Sequence, residues 1–287
     1  MLAKINAVEL TQHAYALDVS GFTILPAQAD ARELNELRRC ADDALAAAAE
    51  AIRAGLKLRR TGGSEYYKAT RCMYCWGDAM LRFLENESIR ALASRTIGDH
   101  ILWDMGVFSA LPAPESESKA TISWHRDFGG TLHGTAIPAY LWFFLCLDDA
   151  TLENGATWIV PGSHHCGAQI KPKSCGVRAG DSLANYPSRM QLCGRAGDIL
   201  VLNPMTLHAS GHNSTSKPRR LLNVGLCHLS LPPLLDHWAI AGAAIQEKAS
   251  PAVRKLLGED RKPPDDTFEA LPPDHQTSHR EENEAVR

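Results

Sequence analysis

The chain has 287 residues, long enough for one large domain or two small ones. Hydrophobic residues make up 45% and charged residues 22%, an ordinary balance for a globular enzyme, and the formal net charge of -3 gives no basic field for a nucleic-acid partner. No apolar run reaches the roughly 20 residues of a membrane-spanning helix, and the start, MLAKINAVELTQ, lacks the apolar centre of a signal peptide. These features exclude nucleic-acid and membrane partners as the first expectation, make the cytoplasm the expected location, and leave the oligomeric state open.

Eight cysteines, at 40, 72, 75, 146, 166, 175, 193 and 227, are scattered through the chain. Without a signal segment they read as thiols and not as a disulfide framework. Cys72 and Cys75 form a CxxC, but a structural zinc site needs a second ligand pair, and none is present at suitable spacing. The CxxC therefore reads as an accident of composition.

In chain order, GFTILPA has the texture of a short strand. Asp30 and Glu33 then stand at capping-box spacing. Leu34, Leu37, Ala41, Leu45, Ala48 and Ile52 recur every three to four residues, so a helix is expected there, with Gly55 as its stop. Residues 56–78 are polar and irregular but rich in aromatics, which suits a loop or short strands near a site. A second helix is expected from about Asn86 through Ile97.

From residue 100 the texture changes to short apolar runs between turn signals: ILWDMGVFSAL, AYLWFFLCL, ATWIV, GDILVL and RRLLNVGLCHL. Strands at this spacing predict an antiparallel barrel or sandwich, with the earlier helices packed outside one sheet. The fold class is thus mainly β with flanking helices. We place one domain at 1–257. From Gly258 to the end, nine acids stand against four Lys/Arg and prolines are paired, so 258–287 reads as an acidic, flexible tail.

The chemistry begins at SWHRDFGG. In an extended segment residues i and i+2 face the same side, so His125 and Asp127 can share one metal while Arg126 points away. Alone, HxD is a weak signal. The second half is GDILVLNPMTLHAS, a turn and an apolar strand ending in His208. Two histidines and one carboxylate on one face of a metal leave adjacent positions open, which suits Fe(II) that must take a chelating cosubstrate and O2. A structural zinc would be closed by four protein ligands.

A 2-oxoglutarate cosubstrate would also need a cation for its far carboxylate, and arginine suits bidentate binding. Past His208 the chain turns and restarts at Arg219. If the two strands form a hairpin, Ser210 faces Arg219, and both share the inward face with His208. Parity then divides the two arginines. Leu222, Val224 and Leu226 form one face with Arg220 at its solvent end, while Arg219, Leu221, Asn223 and Gly225 form the other. A face that mixes Arg and Asn into a strand fits a polar pocket.

With these residues in place, the chain resembles the phytanoyl-CoA dioxygenase family of Fe(II)/2-oxoglutarate-dependent oxygenases. The matching pieces are GFTILPA, HRD at 125–127, DDATLENGATWIVPGSHH at 148–165, GDILVLNPMTLHASGHN at 197–213 and PRR at 218–220. The resemblance implies a double-stranded β-helix, the cupin-like jelly roll. It implies His125, Asp127 and His208 as iron ligands, with Ser210 and Arg219 on the cosubstrate. An upstream lysine often helps bind 2-oxoglutarate in the family, and Lys68 is the candidate. A tryptophan commonly stands eleven residues before the Gly of the Asn-Gly piece. Here Phe144 stands there, which keeps an aromatic wall and removes any indole N–H bond from that position. His164 and His165 follow a turn that is structural in the family, and His212 is not expected to ligate.

The activity implied is oxidation, by hydroxylation first of all, of an unactivated C–H bond in a small organic molecule, with succinate and CO2 as coproducts. The same oxidant can serve desaturation, cyclisation or epimerisation. A metal-dependent hydrolase or isomerase would not need Arg219 and Ser210, and a non-catalytic metal-binding sensor remains an alternative. The substrate does not follow from the sequence. Its pocket is expected from 56–78, 111–123, 129–134 and 174–190.

Overall fold

The computed structural model describes residues 5–54, 63–64, 66–114, 124–127, 138, 140–165 and 188–261. Most of the segments expected to contact substrate, 56–62, 115–123, 129–134 and 174–187, lie outside the described residues, as do Gly55 and the chain beyond Arg261.

Six helices and ten strands are described. The N-terminal helix α1, Ala7–Ser20, starts on a capping box in which Asn6 accepts from Glu9 and the Glu9 side chain accepts from Asn6, and it stops at the left-handed Gly21. Sequence reading passed over this helix, although N-A-V-E has the capping-box spacing. Strand β1, Phe22–Leu25, follows. Helix α2, Ala31–Arg53, is capped by Asp30 as expected and ends on Ala54. After β2, Gly63–Ser64, and β3, Tyr67–Arg71, come α3, Asp78–Phe83, and α4, Glu87–Ile97, the latter capped by the Asn86 side chain. The β-rich half contains β4 His100–Ala110, β5 Tyr140–Cys146, β6 Thr157–Ile159, β7 Met190–Leu192, β8 Ile199–Leu202, β9 His208–Ala209 and β10 Arg219–His228. Two helices close the described chain, α5 His237–Lys248 and α6 Pro251–Leu257.

The strands form two antiparallel sheets. The larger has the order β1-β8-β5-β10-β4-β3-β2 and the smaller β7-β6-β9. Both faces of the larger sheet are covered, which is why its central strands read as continuous apolar runs. In β5, Leu141, Phe143 and Leu145 face outward into a core shared with Leu34, Leu37 and Ala41 of α2 and Leu92 of α4. Tyr140, Trp142 and Cys146 face inward and share a second core with Ile159 and Leu192 of the smaller sheet. The helices therefore buttress one face, and the functional residues collect between the sheets.

Parity along β10 divides its residues as expected. Leu222, Val224 and Leu226 join the helix-side core, and Leu221 joins the inner one. A register shift between Gly225 and Leu226 leaves Trp103 as the extra residue of a bulge in β4.

Arg220 is not at a solvent end. It is half-buried, donates through Nε and Nη2 to the two carboxylate oxygens of Asp148 at 2.8 Å each, and reaches Asp42 at 2.6 Å, tying the sheet to α2. Burial opposes the charge on Asp148, but the hydrogen bonds from Arg220 outweigh it and hold the carboxyl below its ordinary value. An acid with a depressed folded pKa stabilises fully above its unfolded value, about 4, and loses that contribution as pH falls through the folded pKa. Wild-type thermal midpoints should therefore drop below about pH 4, with a shallower drop in Arg220→Ala. Melts across pH 2–5 compare the two, and equal slopes would remove this pair as a source of acid sensitivity.

The fold continues past 257. Gly258 caps α6 in the left-handed conformation, and Arg261 donates to the carbonyls of Leu229 and Leu231 at 2.7 and 2.9 Å. The remainder of the expected tail lies outside the described residues.

Candidate metal centre and cosubstrate pocket

His125 and His208 face each other as an isolated antiparallel bridge, with backbone hydrogen bonds of 2.9 and 3.0 Å in the two directions. The bridge brings together residues 83 positions apart, a separation read directly from the sequence. Asp127 is fixed by its own backbone N–H, which donates to the Pro204 carbonyl at 3.0 Å. Arg126 points away, donating from Nε to the Met205 carbonyl at 2.7 Å and from Nη2 to the Ser163 carbonyl at 2.9 Å. The intervening cation thus ties the HxD segment to two neighbouring turns.

The side chains of His125, Asp127 and His208 bring one ligand atom each to within 4.8 Å of one another. Asp127 Oδ1 lies 3.3 Å from His125 Nε2 and 3.5 Å from His208 Nε2. Ligands bound at about 2.1 Å on adjacent corners of a metal would stand roughly 3 Å apart, so small shifts would close the set on one ion. The remaining polar atoms are already directed. His208 Nδ1 donates to the Thr206 carbonyl at 2.8 Å, which leaves Nε2 with the lone pair. Trp142 Nε1 donates to Asp127 Oδ2 at 2.7 Å, which leaves Oδ1 toward the histidines. Burial opposes the charge on Asp127, but the adjacent imidazoles, His208 foremost, hold its carboxyl far below its ordinary value. Burial likewise disfavours charge on His208, and Asp127 outweighs it, raising the imidazole. Two nitrogens and one carboxylate oxygen, with His208 and Asp127 each oriented from behind, could hold a divalent metal.

Phe144 stands on the cavity wall, and Trp142, two residues earlier on the same face of β5, adds an indole N–H bond to Asp127 that sequence reading did not assign. Trp142 and Phe144 stack with centroids 5.8 Å apart. Trp142→Phe should retain the wall and the fold but lose the hydrogen bond. Removing such a support typically costs about 10–100-fold in metal affinity. Fe(II) titration under anaerobic conditions would read this, and unchanged affinity would make Trp142 a packing residue only.

A cavity between the sheets is lined by the three clustered residues and by Arg71, Phe108, Trp142, Phe144, Thr157, Ser210 and Arg219, among others. Arg219 is buried, 3% exposed, and its Nη2 donates to the Gly155 carbonyl at 2.7 Å. Gly155 has φ +81, and a Cβ there would meet the Gly211 carbonyl at 2.7 Å. The Asn-Gly piece is thus a close-packed turn that gives Arg219 a fixed stop. Ser210 and Arg219 both line this end, but not as a hairpin pair. β9 pairs with β6 in the smaller sheet, while Arg219 lies opposite Ala110 of β4 in the larger one. Both face the same cavity, so they share the inward side without being paired strand neighbours.

Lys68 is a second correction. It pairs with Ser109, in the row of Arg220, and is exposed on the face away from the cavity. Arg71, three residues on, has the opposite parity and lines the cavity. Sequence reading missed it because the register of β3 was not fixed by any apolar alternation. His164 donates to the Asp18 carbonyl at 2.9 Å, and Ser163 Oγ accepts from the Leu207 N–H at 2.8 Å, so that turn braces the strand leading to His208.

The profile of the phytanoyl-CoA dioxygenase (PhyH) family matches residues 17–221. Among curated proteins, the chain is 27% identical over 186 residues to the dioxygenase FUM3 of Gibberella moniliformis, covering 61% of this chain and 57% of that protein. It is 28% identical over 215 residues to the dioxygenase ALT11 of Alternaria alternata, covering 70% of this chain and 65% of that protein. The chain thus spans somewhat less than two thirds of the length of these relatives. Among solved structures, the epimerase SnoN in complex with Fe3+, alpha ketoglutarate and nogalamycin RO superposes with a TM-score of 0.56 at 23% identity, covering 78% of this chain and 85% of that chain. The shared architecture is the cupin-like double-stranded β-helix. The chain belongs to the phytanoyl-CoA dioxygenase family.

Proposed function

We propose, from that family membership and from the convergence of His125, Asp127 and His208, that this chain is a non-heme Fe(II)/2-oxoglutarate-dependent dioxygenase acting on a small organic molecule. One observation carries the reading: two imidazole nitrogens and one carboxylate oxygen cluster on the wall of a cavity that is also lined by a buried arginine. His125, Asp127 and His208 would hold the iron. Arg219 and Ser210 would take the far carboxylate of 2-oxoglutarate. When bound, iron and 2-oxoglutarate supply the activation of O2, with succinate and CO2 as coproducts and a C–H bond of the substrate oxidised.

The chain's own part is binding, orientation and exclusion of water. Thr206 and Trp142 direct the donor atoms of His208 and Asp127. Arg219 is held against Gly155, so its guanidinium is presented in one orientation and little rotamer freedom is lost on binding. Phe108, Trp142 and Phe144 line the cavity with apolar surface that excludes water from the reacting carbon.

Hydroxylation is the first outcome we assign. Epimerisation is a second, favoured by the structural likeness to SnoN, an alpha ketoglutarate dependent epimerase. No helix among the described residues is long and apolar enough to cross a membrane. Free cysteines at 40, 72, 75, 146, 193 and 227 suit a reducing compartment, and we place the protein in the cytoplasm. The test is Fe(II)-dependent formation of succinate from 2-oxoglutarate by the purified chain, with a panel of small molecules screened for a change in mass. A chain that binds Fe(II) and 2-oxoglutarate yet forms no succinate with any substrate would support a sensor instead.

A further inference from the structure

Three aromatic rings in contact lead from the metal centre to the protein surface. Trp142 lines the cavity and donates from Nε1 to Asp127 Oδ2. Tyr140 meets Trp142 edge to face, with centroids 5.7 Å apart. Trp103 stacks on Tyr140, with centroids 5.1 Å apart and an interplanar angle of 15°. Trp142 and Tyr140 are buried, whereas Trp103 is half-buried and brings the line to solvent.

Two local departures from regular sheet structure build this line. Met105 of β4 faces the helix-side core, and strict alternation would send Trp103 there as well. The bulge at Trp103 turns it instead to the inner core, beside Tyr140. Gly225 of β10 lies opposite Trp142, and a Cβ there would stand 2.7 Å from the Trp142 ring and 3.1 Å from the Trp103 ring. Both indoles therefore close over the same bare backbone position, where any side chain would push them off.

Tryptophan gives up an electron far more readily than phenylalanine or an aliphatic side chain, and electron exchange between rings falls steeply with the gap between them. Phe144 also stacks on Trp142 but cannot pass charge onward. Burial, foremost, keeps the Tyr140 phenol protonated well beyond its ordinary range. That ring therefore bridges the two indoles without releasing a proton and trapping the charge. We propose that Trp142 and Trp103 form an electron relay that returns the centre to its reduced state when O2 and 2-oxoglutarate are spent without substrate. The proposal rests on the cavity being the oxygenase site. In each pass one electron moves from Trp142 to the centre and one from Trp103 to Trp142, and a small thiol in solvent refills Trp103. Two passes join two thiols as one disulfide and release two protons. The oxygen atom that a substrate would have received takes up two electrons and two protons and leaves as water. The side chains around the cavity are thereby spared oxidation.

The test loads the full chain with Fe(II) and omits substrate and thiol. One sample receives air and 2-oxoglutarate with catalase present. A second receives hydrogen peroxide without air, a route to the oxidised centre that needs no cosubstrate turnover. Peptide mass spectrometry then reads added oxygen on each tryptophan. Trp158, half-buried on the smaller sheet under Arg189, is the control for oxidants free in solution. Trp103 should gain several-fold more oxygen than Trp158 in wild type. Trp142→Phe, compared at equal bound iron, should bring Trp103 down to the level of Trp158. Trp103→Phe should move the added oxygen to Trp142, and this variant retains the test if Trp142→Phe does not fold. Glutathione should clear the adducts from Trp103 in wild type and leave those on Trp142 in Trp103→Phe. No excess on Trp103 over Trp158, undiminished Trp103 adducts in Trp142→Phe, or an unoxidised Trp142 in Trp103→Phe would overturn the relay. Bound iron is measured on the same samples. A wild-type chain that holds no Fe(II) would fail the reading of the site itself, and the relay with it.

Discussion

Asp127→Ala should reduce Fe(II) affinity by more than roughly a hundredfold, since loss of an outer hydrogen bond alone can reach that size, and succinate formation should fall to background. Two effects add. The substitution removes the one anionic donor of the set, leaving two imidazoles whose Nε2 atoms stand 3.3 and 3.5 Å from the lost oxygen. It also strips the acceptor from Trp142 Nε1, leaving a polar N–H in a wall residue that is 7% exposed. The fold should survive, because the backbone of Asp127 would still donate to Pro204. His164→Ala is the control, since that ring binds the Asp18 carbonyl and not the centre. Anaerobic Fe(II) titration and a succinate assay on both variants decide the matter. An Asp127→Ala protein with wild-type iron affinity would remove the carboxylate from the ligand set.

Arg219→Ala and Arg220→Ala should separate cosubstrate binding from stability. The first removes a buried cation from the cavity end and should weaken 2-oxoglutarate by about 2–5 kcal/mol, the usual cost of breaking a desolvated charge pair. It should leave the helix-side core untouched. The second faces the other way. It breaks the two-point bond to Asp148 and the contact to Asp42, and at partial exposure we expect a loss of about 1–3 kcal/mol in unfolding free energy. Its 2-oxoglutarate affinity should match wild type. Isothermal titration with 2-oxoglutarate and denaturant unfolding give the two numbers for each variant. Equal 2-oxoglutarate affinity in both would refute the assignment of Arg219, and an unaltered unfolding midpoint in Arg220→Ala would show the Asp148 bond to be idle.

Much of this was legible in the sequence, and the reason is periodicity. Inward and outward residues of β10 follow from a period of two, and the same rule puts His125 and Asp127 together with Arg126 opposed. The caps at Asp30 and Asn86 were readable because one side-chain oxygen at the right spacing stops a helix locally. Helix α1 carries an equally local signal at Asn6 and Glu9, and α5 and α6 start on the side-chain caps Asp236 and Ser250.

The sequence by itself determined the candidate ligands, the inward face of the last long strand and the order of helices and strands, because these depend on residues a few positions apart. Only the tertiary structure decided which elements meet. Lys68 and Arg71 are three residues apart, and nothing local says which parity faces the cavity until β3 is registered against β4. Ser210 and Arg219 looked like hairpin partners, yet β9, which leads into Ser210, and β10 belong to different sheets, and the two residues share only a cavity. Trp142 donates to Asp127, a contact that depends on the HxD segment packing beside β5 and that no local pattern announces. Arg220 found Asp148 and Asp42, 72 and 178 residues away, through packing of the sheet on α2. Register and sheet assignment are set by long-range burial, and a one-residue shift exchanges every side chain between the two faces.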